Sequence, residues 1–183
     1  MSQVKFAVVG CGNIGKKHAE VISKNKDAVL TALVDIKSPQ ELNISPFNVP
    51  FFSSLKSFLQ SQIKADVISI ATQNGLHAQQ AIECLHAGKH VVIEKPMALH
   101  TVNAQNIIDV ANEKQKSVFV VMQNRYSPPA IWLKKIVGKN LLGKIYSVQL
   151  NCFWNRDERY YLPANWHGSK TLDGGTLFTQ FSH

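Results

Sequence analysis

A lysine behind one apolar segment and a glycine-rich turn behind another are the features of this chain best suited to chemistry. Lys95 lies in Glu94-Lys95-Pro96, directly after His90-Val91-Val92-Ile93, and the turn is Gly10-Cys11-Gly12-Asn13-Ile14-Gly15. Backbone amides of such a turn bind the pyrophosphate of a dinucleotide, and a lysine with a lowered pKa can transfer a proton. We therefore predict a dinucleotide site with an acid/base lysine beside it.

The G-x-G-x-x-G spacing gives each glycine a different role. Gly10 allows a sharp turn after the first strand, Gly12 lets the backbone approach a pyrophosphate, and Gly15 lets the following helix pack closely. That helix, predicted from Asn13 to about Ser23, points its free N–H groups, with that of Ile14 among them, at the phosphates. The turn therefore predicts where the cofactor's pyrophosphate binds.

The carboxylate that follows the second predicted strand indicates which dinucleotide binds. Asp35 comes 20 residues after Gly15, at the end of the apolar segment Ala28 to Val34. An acid at that place can bind both ribose hydroxyls of NAD and repels the 2′-phosphate of NADP. We therefore predict NAD as the cofactor, with a preference over NADP that Lys37 can soften.

Strands and helices alternate along the first two thirds of the chain. This alternation predicts an α/β fold, a Rossmann-type doubly wound parallel sheet, followed by the start of a truncated α+β domain. The dinucleotide-binding domain is predicted at 1–123 and the incomplete second domain at 124–183. The predicted segments after Asp35 are Val49–Phe52, Leu55–Gln62, Asp66–Ala71, Leu76–Ala87, His90–Ile93, Thr101–Glu113 and Val118–Met122. Ligands of such sheets bind at the carboxyl ends of the strands, where Lys95 is expected.

The sequence changes character after Met122. A helix is predicted from Pro128 to about Val137, and a long strand from Lys144 to Trp154. Asp173-Gly174-Gly175 then predicts the opening of another helix. A single long strand cannot bury its own apolar face, which is why the second domain is interpreted as incomplete.

Composition excludes several classes of protein. The 183 residues are 45% hydrophobic and 17% charged, which is typical of a packed globular protein in the cytoplasm. No apolar stretch is long enough for a membrane span. Although the net charge is +8, the lysines are scattered without a nucleic-acid-binding motif, so no nucleic-acid partner is expected. The three cysteines lie far apart and predict neither a disulfide framework nor a metal site.

At this point the sequence resembles the glucose-fructose oxidoreductase/inositol dehydrogenase/MocA (Gfo/Idh/MocA) family of NAD(P)-dependent oxidoreductases. The matching segments are Val9–Gly15 with His18, Ala71–His77, Ala87–Val91, Glu94–Pro96, Gln123–Tyr126 and Gly174–Leu177 leading to His183. The resemblance implies Lys95 and His183 as a catalytic pair acting on a sugar hydroxyl, and a homo-oligomer at full length. The cofactor-binding residues expected from the motifs and the resemblance are Gly10, Gly12, Asn13, Ile14, Gly15, Asp35, Thr72, Asn74, His77, Glu94 and Lys95.

The chain departs from the family's pattern at two positions. Thr179 stands where the family often has an aspartate four residues before the histidine, so the resemblance leaves more of the proton transfer to Lys95. Gln73 replaces a common proline. Three alternatives stay open at this stage: Asn74 as part of a helix N-cap region, His77 as a histidine on a helix surface, and His183 as an ordinary surface or core histidine.

The carboxyl-terminal part resembles members that act on nucleotide sugars in surface-polysaccharide synthesis, with UDP-N-acetyl-hexuronate 3-dehydrogenases as the nearest model. The segments that carry this resemblance are Trp154–Tyr161, Trp166–Gly168 and Asp173–His183. The predicted substrate-binding residues are Arg125, Tyr126, Arg156, Tyr160 and Thr179, with Arg159 as a further candidate cation. Arginines can bind carboxylate or diphosphate, although exposed loop charges explain them equally well. The alternatives are a free-sugar or cyclitol dehydrogenase of the same family and a non-catalytic dinucleotide-binding regulator.

Overall fold

The architecture is a six-stranded parallel sheet with helices on both faces. The computed structural model describes residues 3–153, 155–162, 166–175 and 179. The strands are β1 (Val4–Val9), β2 (Ala28–Val34), β3 (Phe51–Phe52), β4 (Val67–Ile70), β5 (His90–Ile93) and β6 (Val118–Val120). They are ordered β3-β2-β1-β4-β5-β6, and every neighbouring pair is parallel. The predicted doubly wound sheet is therefore confirmed.

Six helices accompany the sheet within the described ranges. They are α1 (Asn13–Lys24), α2 (Pro39–Leu42), α3 (Leu55–Leu59), α4 (His77–His86), α5 (Thr101–Glu113) and α6 (Pro128–Gly138). Sequence reasoning missed α2, although Ser38-Pro39-Gln40-Glu41 is a capping-box signal. Ser38 and Glu41 form both reciprocal bonds of that box. Within the part of the chain described, no helix has the length and apolar character needed to cross a membrane.

The central strand shows why the sheet carries two cores. In β1 the last residues are buried on both sides, because Ala7 and Val9 face one apolar cluster and Val8 faces the other. The first cluster is filled by residues of α3, α4 and α5, and the second by Ala19 and Ile22 of α1. Strands covered on both faces need an unbroken apolar sequence, as the first predicted strand has.

The predicted long strand from Lys144 to Trp154 is wrong in this structure for the residues that it describes. Residues 145–153 belong to no strand, and Leu150 and Phe153 are 91% and 95% exposed. The apolar pattern of the segment predicts burial, but a strand forms only where another strand accepts its backbone hydrogen bonds. No such partner lies beside it among the described residues.

Candidate active site at the carboxyl edge of the sheet

The glycine turn leaves no room for side chains at two of its glycines. Gly10 has φ +86° and donates its N–H to the Val34 carbonyl at 2.8 Å. A Cβ at Gly10 would lie 2.6 Å from the Ala71 carbonyl oxygen, and one at Gly15 would lie 1.7 Å from the Gly10 carbonyl oxygen. The lack of a side chain at Gly10 lets the end of β1 approach Ala71, the residue after β4. The lack of a side chain at Gly15 lets α1 pack closely on the turn.

Gly12 faces open space instead. A Cβ there would meet no atom within 4 Å, and Gly12 is the N-cap of α1 without a capping side chain. The first turn of α1, with Asn13 and Ile14 exposed, holds no acidic residue. Its amides and the positive end of the helix dipole therefore face outward, where an anionic pyrophosphate fits.

Asp35 is held against this turn by two backbone amides. Its Oδ2 accepts the Cys11 N–H at 2.6 Å, and its Oδ1 accepts the Lys37 N–H at 2.9 Å. A carboxylate fixed beside the glycine turn is well placed for ribose hydroxyls. The turn, the uncapped helix and Asp35 together fit a bound NAD.

Burial, with a smaller contribution from Asp35, raises the pKa of the Cys11 thiol to about 12, so this thiol stays protonated.

Lys95 follows β5 at the same edge of the sheet. Its Nζ donates to the Thr179 carbonyl oxygen at 2.7 Å, and the side chain is half-buried. Burial lowers the pKa of Lys95; Glu94 and Asp173 oppose that shift, whereas Arg156 adds to it. A lysine with a lowered pKa can take up and return a proton more readily than a surface lysine.

Glu94 is bonded on two sides. Its Oε1 lies 3.0 Å from Nε2 of His18, and its Oε2 accepts the Lys95 N–H at 3.2 Å. The other nitrogen of His18 lies 2.6 Å from the Ser69 hydroxyl. His18 therefore connects α1 with β4 and with the lysine loop. The sequence offered His18 only as part of a motif, and the contact with Glu94 was not predicted.

His77 is buried between the loops that follow β4 and β5. Its Nδ1 lies 2.7 Å from the Pro96 carbonyl oxygen, and its Nε2 lies 3.1 Å from the Thr72 carbonyl oxygen. The surface position that the sequence left open for His77 is wrong, because the ring is fully buried. Both nitrogens face backbone oxygens of the protein, so this ring braces the loop that carries Lys95. The Thr72 hydroxyl donates to the Gln80 side chain at 2.6 Å.

Asn74 reaches across the site to a residue that sequence reasoning missed. Its Nδ2 donates to the Asp173 carbonyl oxygen at 2.9 Å and lies 3.2 Å from Asp173 Oδ1. The neighbouring Gly75 donates its N–H to the Leu172 carbonyl at 2.9 Å. The segment 168–175 is thereby docked on the β4–α4 loop. The order Asp-Gly-Gly suggested only a helix start, so nothing local indicated this contact.

Cationic and aromatic side chains form a row beside this segment. The Arg156 guanidinium lies 4.8 Å from the centre of the Tyr160 ring, which in turn lies 4.0 Å from the His167 ring. The His167 ring stacks on Trp166 at 4.1 Å. A cavity of about 390 Å³ is lined by Asn155, Arg156, Asp157, Arg159 and Tyr160. Two of the predicted substrate residues, Arg156 and Tyr160, are thus brought together.

The remaining predicted substrate residues are placed differently. Arg125 and Tyr126 are exposed on the 3₁₀ turn Gln123–Tyr126, which follows β6 at the same edge. Thr179 is buried, and its hydroxyl donates to the Gly175 carbonyl at 3.0 Å. Its N–H also donates to the Gly175 carbonyl at 3.0 Å. The predicted catalytic His183 lies outside the described residues.

Two solved structures match the whole of this chain. They are the WlbA dehydrogenases of Chromobacterium violaceum and Bordetella pertussis, each in complex with NADH and UDP-GlcNAcA. Both superpose with a TM-score of 0.93, at 35% and 36% identity, over 100% of this chain and 53% of each relative.

A curated relative matches the amino-terminal part. The NADP⁺-dependent scyllo-inositol 2-dehydrogenase IolW of Bacillus subtilis is 30% identical over 118 residues, which is 64% of this chain and 32% of that protein. The chain thus spans between a third and about half of the length of these relatives. The model of the oxidoreductase family with an NAD-binding Rossmann fold matches residues 4–122. This chain therefore belongs to the Gfo/Idh/MocA family of oxidoreductases, with the NAD-binding Rossmann domain of that family.

Proposed function

We propose that this chain is the cofactor-binding part of an NAD-dependent oxidoreductase that transfers a hydride between the carbon of a sugar hydroxyl and the nicotinamide. The position of Lys95 is the observation that carries this proposal. Its half-buried amine lies at the same sheet edge as the glycine turn, and burial lowers its pKa. A non-catalytic regulator would need the turn and Asp35 but would not need such a lysine.

The chemistry assigned to Lys95 is proton transfer. NAD held by the glycine turn and Asp35 would supply the acceptor for the hydride that leaves the carbon of the hydroxyl. The amine of Lys95 takes the hydroxyl proton, so that the oxygen and carbon left behind form a carbonyl. In the reverse direction the ammonium returns the proton. His183 is proposed to bond the same hydroxyl, as the family resemblance implies.

We further propose a nucleotide sugar of the UDP-N-acetyl-hexuronate type as the substrate, within surface-polysaccharide synthesis. The row of Arg156, Tyr160 and His167 supports this, because guanidinium groups bind carboxylates and diphosphates and aromatic rings pack against sugars. Two relatives that match the whole chain were crystallised with UDP-GlcNAcA. The similarity to IolW favours a cyclitol dehydrogenase as the second candidate.

The same proposal includes a division of the chain and an assembly. Residues 1–123 are proposed as the dinucleotide domain, and 124–183 as the beginning of a domain for substrate binding and oligomerisation. A homo-oligomer is proposed for the extended protein, by which we mean this chain continued to the length of its relatives.

NADH formation by the extended protein tests the function. The panel is UDP-GlcNAcA, UDP-GlcNAc as the matched sugar without the carboxylate, scyllo-inositol and glucose. We expect turnover with UDP-GlcNAcA and much less with UDP-GlcNAc. Turnover with scyllo-inositol alone would support the second candidate. NADH binding without turnover on any member of the panel would support the regulator.

A further inference from the structure

His18 is a largely buried side chain that the proposed mechanism leaves unused. It lies in the second turn of α1 and is 16% exposed, while its partner Glu94 is 12% exposed. Polar groups with so little access to water are normally hydrogen-bonded within the protein. The partners of its two ring nitrogens therefore indicate what this side chain does.

The ring of His18 joins three elements of the fold. Its Nδ1 lies 2.6 Å from the hydroxyl of Ser69 on β4, and its Nε2 lies 3.0 Å from Oε1 of Glu94, directly after β5. The Ser69 residue is 2% exposed, so its hydroxyl is shielded from water. With the proton on Nε2, the ring donates to the Glu94 carboxylate and accepts a hydrogen bond from the Ser69 hydroxyl, so one tautomer satisfies both contacts.

Glu94 passes this restraint on to Lys95. Its other carboxylate oxygen, Oε2, accepts the Lys95 N–H at 3.2 Å. The backbone on the other side of Lys95 is held by His77, whose Nδ1 lies 2.7 Å from the Pro96 carbonyl oxygen. The lysine is thus restrained on both sides, and on one of them the restraint runs through a carboxylate that His18 orients.

The Glu94 carboxylate needs such a partner to stay in one orientation. A glutamate side chain loses much rotamer freedom when it is fixed, and a bond to a rigid element offsets that loss. The helix that carries His18 is rigidly seated, because Ala19 and Ile22 of α1 lie in one of the two cores. Without the ring, the carboxylate could turn away and release the Lys95 N–H.

We infer that His18 is a positioning residue that acts through Glu94: its ring holds the carboxylate against the Lys95 N–H and thereby keeps the lysine where proton transfer to a substrate hydroxyl requires it. This role rests on the proposed function of Lys95 as the acid/base group, whereas the restraint on the lysine backbone can be measured on this chain without turnover.

Hydrogen exchange of the Lys95 amide, followed by NMR on this chain, measures that restraint. In His18→Leu, which keeps the bulk of the side chain but has no donor, we expect exchange about three- to tenfold faster, the local effect of losing one hydrogen bond. His18→Gln, whose amide can still donate to Glu94, should bring the rate back towards that of the unsubstituted chain. The Val91 amide, bonded within the sheet, and the variant His86→Ala, at an exposed helix end, are the controls and should show unchanged exchange.

A double variant tests the route through Glu94. Once Glu94→Ala has removed the carboxylate, His18→Leu should cause no further acceleration at Lys95. The inference is overturned by an unchanged Lys95 rate in His18→Leu, by an equal acceleration at Val91, or by additive effects of the two substitutions.

Turnover by the extended protein tests whether the restraint serves the reaction. His18→Leu should lower kcat by about 10- to 100-fold, as misplacement of a catalytic group does, with a much smaller change in the dissociation constant for NADH. His18→Gln should recover most of the lost kcat. A normal kcat in His18→Leu despite faster exchange at Lys95 would also overturn the inference. Failure of the proposed function appears separately, as no turnover by the unsubstituted protein on the whole panel, and the exchange rates still decide whether His18 restrains Lys95.

Discussion

At the scale of single residues, two charged groups carry the proposed chemistry. Lys95 combines burial, which lowers its pKa, with nearby carboxylates that oppose the shift. Asp35 is held by the amides of Cys11 and Lys37 beside the glycine turn. One group is assigned to the substrate proton and the other to the cofactor ribose, so substitutions at the two should change different measured quantities.

Lys95→Ala in the extended protein is expected to lower kcat by roughly 100- to 10,000-fold, the usual contribution of a general acid/base. The affinity for NADH should change much less than kcat, because the pyrophosphate rests on the turn at Gly10–Gly15 and Lys95 is only one of the expected cofactor contacts. Stopped-flow turnover and fluorescence titration with NADH measure the two effects. Lys24→Ala, at an exposed lysine of α1, is the control. A near-normal kcat in Lys95→Ala would assign this lysine a structural role.

Asp35→Ala is expected to narrow the preference for NAD over NADP. The substitution removes both the acceptor for the ribose hydroxyls and the repulsion of a 2′-phosphate. Titration of this chain with NADH and NADPH gives the ratio of dissociation constants before and after the change. Asp27→Ala, at an exposed aspartate, should leave that ratio unaltered. Tighter binding of NADPH by the unsubstituted chain would contradict the expectation.

At the scale of elements, the contacts between loops and helices at the carboxyl edge of the sheet hold the proposed site together. Gly10 and Gly15 place α1 against β1 and β4, while His77, at the start of α4, braces the loops after β4 and β5. Each of these contacts fixes a backbone rather than a reacting atom. Changes there should act on stability and cofactor affinity together.

Gly15→Ala should lower the stability of the fold, whereas Gly12→Ala should lower the affinity for NADH and leave the stability unchanged. A Cβ at position 15 would overlap the Gly10 carbonyl, so Gly15→Ala should lower the free energy of unfolding by about 1–3 kcal/mol or more. A Cβ at position 12 meets open space, so Gly12→Ala should fold normally but lose about tenfold in NADH affinity, or roughly 1.4 kcal/mol. Urea unfolding and NADH titration separate the two. Unchanged affinity in Gly12→Ala would place the pyrophosphate elsewhere.

His77 makes stability depend on pH. Burial lowers its pKa below the usual 6.5, although the carbonyls of Pro96 and Thr72 and the charge of Glu94 oppose the shift. The unfolded chain then binds the proton more readily than the folded one, so stability should fall as the pH drops below 6.5 towards the folded-state pKa.

Urea unfolding of His77→Gln across this range measures the effect. The acid-induced loss of stability should shrink in this variant, whereas His86→Gln, at the exposed end of the same helix, should keep it. Identical pH dependence in both variants would show that another group is responsible.

At the scale of the whole molecule, the chain combines a complete sheet with an exposed apolar region. Among its exposed apolar side chains are Trp132, Leu133, Val148, Leu150 and Phe153. Exposure of several large apolar side chains favours self-association. The dinucleotide part has both of its cores filled by its own helices.

We therefore expect this chain to bind NAD, to self-associate and to show no dehydrogenase activity. Because the exposed apolar side chains of residues 145–153 have no partner strand among the described residues, they form no wall that would hold the hydroxyl in line with the nicotinamide. A chain shortened to 1–123 should bind NADH and stay monomeric in analytical ultracentrifugation, because it lacks the exposed segment. Equal activity of the 183-residue chain and the extended protein would show that the substrate site has been misplaced.

The sequence by itself determined the sheet and the cofactor end of the site. The predicted bounds of β2, β5 and α5 agree with the structure, and the glycine turn and Asp35 lie together as expected. These features depend on local information: apolar runs covered on both faces, turn glycines with a steric requirement, and an acid placed by strand length.

Only the tertiary structure decided what the loops do. It left 145–153 without a partner strand among the residues that the structure describes, buried His77, and joined Asn74 to Asp173 across 99 positions of sequence. An apolar pattern indicates that a segment needs to be buried, but it does not identify the residues that will bury it. Likewise an aspartate in a turn looks exposed until a distant amide is brought beside it, because the groups that stabilise a buried carboxylate are close in space and not along the chain.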